Sequence, residues 1–123
     1  MSTLTATITL KRDGVELPGF PVTRTISYDE VQTFAYDEAN DGDTTTFSAL
    51  PTSQIASIKG LYVTANQAVT LRLDAQSDAG VALDSGGVLL VLNGTIDAGA
   101  STNATLNNNS GSTALVTGVA VGT

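Results

Sequence analysis

Apolar and polar residues alternate in short runs along most of the chain, and the clearest runs fall near its middle. Leu61, Val63 and Ala65 alternate with Tyr62, Thr64 and Asn66; Val69, Leu71 and Leu73 then alternate with Thr70, Arg72 and Asp74. Successive strand side chains point to opposite faces, so each run offers one apolar and one mostly polar face. Asn66-Gln67-Ala68 separates the runs, and the pattern predicts an antiparallel hairpin.

The same reading predicts strands over Leu4 to Leu10, Val22 to Tyr28, Val31 to Tyr36, Thr44 to Leu50, Val81 to Leu83, Thr102 to Asn107 and Thr113 to Thr117, with Val119 to Val121 almost at the end. Turn chemistry separates them: Lys11-Arg-Asp-Gly14, Gln76 to Gly80, Asp84 to Gly87 and Asn108 to Gly111. Pro18 and Pro21 mark a corner or an edge. Val88 to Leu92 is apolar on both faces, which predicts a central, fully buried strand. Asn93-Gly94 behind it is the strongest hairpin dipeptide present. Pro51 to Ile58 has room for one helical turn capped by Thr52 or Ser53. The sum is an all-β antiparallel sandwich or jelly roll, one domain over residues 1–123. Ile8, Leu61, Val63, Val69, Leu71, Leu73, Leu90 and Leu92 are its expected core.

Composition narrows the function. The chain of 123 residues has no histidine and no cysteine, which removes the usual general base and every Ser-His or Cys-His nucleophile. Asp29-Glu30 and Asp37-Glu38 offer carboxylate pairs of the kind a glycosidase needs, but there is no tryptophan to build a sugar platform. No enzyme and no cofactor are expected. Asp37, Asp41 and Asp43 fall on ligand positions of an EF-hand frame centred on Gly42, yet Ala39 and Ser48 occupy two others. The loop is therefore no EF-hand and no metal is required, with an oxygen-ligand Ca²⁺ site of another kind left open.

Net charge is −7, from five basic and twelve acidic residues. Lys11, Arg12, Arg24, Lys59 and Arg72 are scattered, which excludes nucleic acid and anionic membrane as partners. Between Arg24 and Lys59 there are six acids and no base: Asp29, Glu30, Asp37, Glu38, Asp41 and Asp43. That segment presents a negative field suited to a basic partner surface, or simply a solubilising face. After Asp97 no side chain is charged. A neutral end with an apolar strand at Val119 and Val121 reads as an uncovered edge that another subunit closes. The expected partner contacts are therefore Asp37, Glu38, Asp41, Asp43, Val119 and Val121. Met1 to Thr5 shows neither the basic start nor the apolar block of a secretory signal.

The half from Leu61 to Gly122 resembles small structural proteins of tailed bacteriophages. The phrases that carry this are Leu61-Tyr-Val-Thr-Ala, Val69-Thr-Leu-Arg-Leu, Gly86-Gly-Val-Leu-Leu-Val-Leu92, Ile96-Asp-Ala-Gly-Ala-Ser-Thr102 and Asn107-Asn-Asn-Ser-Gly-Ser-Thr113. Thr25-Ile-Ser-Tyr28 and Phe34-Ala-Tyr36 extend it, less distinctly, into the first half. The resemblance implies a virion component that assembles as a symmetric homo-oligomer, a trimer being favoured. A capsid decoration protein bound to the major capsid protein is the first expectation; a neck, tail or baseplate protein is the alternative, and a host-attaching carbohydrate module a third. Virion localisation also fits a protein released by lysis from the host cytoplasm without a signal.

Overall fold

The computed structural model describes residues 2–73, 80–97 and 104–123. It is all-β, with 61% of the described residues in strands and no helix among them, and antiparallel sheets packed face to face. The strands are β1 (Ser2–Ile8), β2 (Lys11–Arg12), β3 (Val15–Glu16), β4 (Val22–Tyr28), β5 (Glu30–Glu38), β6 (Ser48–Ala49), β7 (Ser57–Ala65), β8 (Val69–Arg72), β9 (Val81–Leu83), β10 (Val88–Asp97), β11 (Thr105–Asn107) and β12 (Ala114–Gly122). A large sheet of order β10-β7-β12-β5 faces a smaller one of order β6-β11-β8-β9. Leu61, Val63 and Ala65 from β7, Val116 and Ala120 from β12 and Phe34 from β5 meet Val69, Leu71 and Leu106 of the smaller sheet in one buried core. Of the expected core, Leu61, Val63, Val69 and Leu71 are buried, while Leu73, Ile8 and Leu92 are half-buried.

Three expectations about pairing fail. β7 and β8 are not a hairpin: they lie in opposite sheets, and Asn66-Gln67-Ala68 carries the chain across the sandwich. The alternation is the same in both arrangements, because a corner also turns both apolar sets toward one interior. Asn66 fixes the corner: its N–H donates to Leu115 O at 3.2 Å, and its Oδ1 accepts the Leu115 N–H at 2.8 Å. Val88 to Leu92 is not a central strand but the edge of the large sheet, with Val88 and Leu90 exposed and Leu89 and Val91 packed against the core. Asn93-Gly94 makes no hairpin either; it is a bulge inside β10. Leu92 lies opposite Gly60 and Ile96 opposite Ile58, so β10 takes two residues more than its partner over that step, with Asn93 at φ 55°.

The expected edge at Val119 to Val121 is the opposite of what is found. These residues belong to one continuous strand, β12, hydrogen-bonded to β5 on one side and β7 on the other. Strand Thr44 to Leu50 shrinks to Ser48–Ala49 because Asp43 claims the amides of Thr45 and Thr46. Pro51 to Ile58 holds a turn closed by Ile55 N–H on Thr52 O at 3.0 Å, not a helix. The expected turn at Gln76 to Gly80 and the start of the expected strand Thr102 to Asn107 fall largely outside the described residues.

β1 and β4 form a separate two-stranded ribbon, from Ser2 opposite Tyr28 to Ile8 opposite Val22. Its root is tied to the body where the Asp29 N–H donates to Gly122 O at 3.0 Å. β4 then crosses the outer face of the large sheet, over β12, β7 and β10. Ile26 is buried beneath the ribbon against Gly60 and Val121; a Cβ on Gly60 would lie 2.7 Å from Ile26 Cδ1. Beyond Ile8 the ribbon continues as the β2–β3 hairpin, turning at Asp13 and Gly14, both at positive φ. Residues 9–16 are all exposed, so this tip projects from the body as an arm.

Candidate functional site

Strand alternation sorts the acidic segment onto two faces. In β5, Gln32, Phe34, Tyr36 and Glu38 turn toward the smaller sheet; Val31, Thr33, Ala35 and Asp37 turn outward. Asp37 and Glu38 therefore do not face one substrate. Burial raises the Glu38 pKa, with the Asp41 charge adding to it and a hydrogen bond from Ser48 opposing it. Burial likewise pushes the Tyr36 hydroxyl well above its ordinary value, with Glu38 adding to it, and that hydroxyl is buried without a partner.

The loop after β5 is held by two asparagines that the sequence reading assigned only to a strand end and a turn. Asn107 Nδ2 donates to Thr46 O at 2.7 Å, Asp43 O at 3.0 Å and Asp41 Oδ2 at 3.3 Å. Asn108 is fully buried; its Nδ2 donates to Glu38 O at 2.9 Å and Ser112 O at 2.8 Å, and its Oδ1 accepts from Ser110. The Asn108 amide donates to Asp41 Oδ2 at 2.7 Å. Asp43 accepts from the amides of Thr45 and Thr46 and from the Thr46 hydroxyl, and these bonds hold its carboxyl below the usual range. Asp41 and Asp43 thus act on the loop itself, and among the described residues no group of three or more acidic side chains is placed to hold a metal ion. A buried Asn pair satisfying several carbonyls has no short-range sequence signal, since Asn is equally a turn residue.

Val119 and Val121 are placed on the outer face of β12, but the chain's own ribbon lies over them. Val121 is buried against Ile26 and Gly60, and Val119 lines an apolar cavity of about 180 Å³ with Leu4, Ala6, Tyr62, Leu90 and Leu92. The reason for assigning them to a partner, an uncovered edge, is therefore gone. What the ribbon leaves open on that face lies toward the loop end of β5: Asp37 and Leu115, directly opposite each other across the β5–β12 pair, are both exposed.

A second feature was not foreseen. On the outer face of the smaller sheet a cleft of about 330 Å³ is lined by Thr44, Phe47, Thr70, Arg72, Asp84 and Asn109. The Arg72 guanidinium carbon sits 3.8 Å from the Phe47 ring centroid, and its Nε is buried without a hydrogen-bond partner. With one face of Phe47 covered by Arg72, that face is closed to a stacking sugar. In sequence, Arg72 was only one polar residue in an alternating strand.

No family model, no curated protein and no solved structure matches this chain.

Proposed function

We propose that this protein is a bacteriophage structural protein that binds the assembled capsid as a decoration protein and works as a homo-oligomer without catalysis. The observation that carries the reading is the projecting arm. Residues 9–16 are exposed throughout, and Val15 is 69% exposed and Leu10 46% exposed at its tip. Apolar side chains left exposed on a projecting hairpin are a standing cost unless a neighbour covers them. The resemblance of Leu61 to Gly122 to phage virion proteins supplies the setting. In it, binding only the expanded lattice would stabilise that lattice by mass action.

The test is to mix the purified protein with capsids before and after expansion and to locate it by electron microscopy. Saturable binding to the expanded shell, with a higher melting temperature of that shell, is expected. Absence from the shell, or density only at the neck, tail or baseplate, overturns the capsid assignment.

A further inference from the structure

The arm is neutral overall, with Lys11 paired across the hairpin to Glu16 and Arg12 beside Asp13, but its Arg12 face and the uncovered patch are opposite in charge and alike in apolar character. At the arm tip, Arg12 lies directly opposite Val15 in the β2–β3 pair, which puts one cation and one apolar side chain on the same face. On the body, Asp37 lies directly opposite Leu115 in the β5–β12 pair, which puts one anion and one apolar side chain on the same face. All four residues are exposed. Arg12 has only a 4.0 Å contact to its neighbour Asp13, between side chains 84% and 96% exposed, which holds it weakly. On the arm Lys11 and Glu16 offset each other on the opposite face, which leaves Arg12 as the cation beside Val15, and on the outward face of β5 Asp37 is the acid beside Leu115.

The arm cannot fold back onto that patch. Its root is at the β12 end by Asp29, Ile26 lies over β7, and β4 reaches β10 before the tip begins. The tip leaves the body on the β10 side, and β5 is the opposite edge of the same sheet. A patch on one side and its complement on the other fit two different copies.

We infer that the arm of one copy docks on the β5–β12 outer face of a second copy, Arg12 meeting Asp37 while Val15 packs on Leu115. The contact is heterologous, so repetition closes a ring or continues as a filament. Its charged part steers and selects the partner, and its apolar part excludes water. It concerns purified chain alone and stands whether or not the protein binds a capsid.

Sedimentation velocity over a protein concentration series, at low and high salt, tests it. The native chain should self-associate, and salt should weaken the association because both charges are exposed. Arg12→Glu and Asp37→Arg should each weaken it by roughly tenfold or more, since each sets like charges together. Mixing the two variants, or combining both changes in one chain, should restore it. Circular dichroism should show both variants folded, since the two positions are on the surface. A monomeric native chain at low salt overturns the inference. So does an oligomer that either single variant leaves intact, or a pair of variants whose mixture fails to reassociate.

Discussion

Leu71 shows how much one side chain holds. It is fully buried between the sheets, against Leu106 opposite it on β11 and the β7 and β12 core residues. Leu71→Ala should cost roughly 2–5 kcal/mol by lost burial and the cavity left behind. Chemical denaturation measures this, and a loss near zero would mean that the sheets close over the gap. Glu38 works in the other direction. Its pKa is raised by burial, so the folded chain holds that proton more tightly than the unfolded chain does. Its charge therefore costs stability above the folded pKa, and the cost disappears as pH falls through that value. Glu38→Gln should raise the melting temperature near neutral pH and give no advantage in mild acid. Parallel melting curves for both proteins at every pH would remove burial as the cause. Leu71 was legible from alternation alone. Glu38 was legible as an acid but not as an inward one, because Asp37 and Glu38 are adjacent and only the register of β5 decides which turns in.

Elements were read well one by one and poorly in pairs. Alternation marks where a strand runs and which of its faces is apolar, and β1, β4, β5 and β7 follow it closely. It is silent about which strand lies beside which. A hairpin and an inter-sheet corner have the same sequence signature, so β7–β8 was misread. A run apolar on both faces fits a central strand, but equally an edge strand whose outer face lies partly beneath another element. In β10 that element is the ribbon, with Leu90 and Leu92 bordering the cavity under Leu4 and Ala6. The C-terminal strand carries the heaviest consequence. A tail at an edge would be dispensable to the fold, but β12 bonds to strands on both sides, and Gly118 and Gly122 leave no room for side chains. A Cβ on Gly118 would meet Tyr62 O and lie 2.7 Å from Phe34 Cζ. Deleting Gly118 to Thr123 should therefore unfold the large sheet, not merely loosen an oligomer. Loss of the strand signal in far-UV circular dichroism and of a cooperative melt is expected. A truncated chain that melts like the native one would return these residues to the periphery.

At the scale of the whole molecule the chain divides its work between a sandwich that closes its own core and an arm that does not contribute to it. The core residues come from β5, β7, β8, β10, β11 and β12 and the segments around β6, and none comes from residues 2–21. The ribbon is coupled to the body through Ile26 on Gly60 and Val121, through the Asp29 amide on Gly122, and through Leu4 and Ala6 over Leu90, Leu92 and Val119; the tip beyond it is exposed. The sequence hinted at this division in two ways that alternation cannot combine. Pro18-Gly19 interrupts the return strand, and Lys11 and Arg12 stand apart from the acidic segment, but neither says that the tip leaves the surface. Shape follows from packing, which depends on residues distant in sequence. The division makes a sharp expectation. Replace residues 9–21 by an Asn-Gly turn, so that Ile8 and Val22 remain a closing pair of the β1–β4 ribbon. Residues 9–16 are exposed throughout, and Leu17 and Phe20 are the half-buried apolar residues removed, so the unfolding free energy should fall by no more than about 2 kcal/mol. Self-association should fall away, because Arg12 and Val15 leave with the tip. A large fall in the melting temperature would show that the arm braces its own sandwich. An unchanged oligomer would put the contact between copies elsewhere, with the apolar edge at Val88 and Leu90 the first surface to examine.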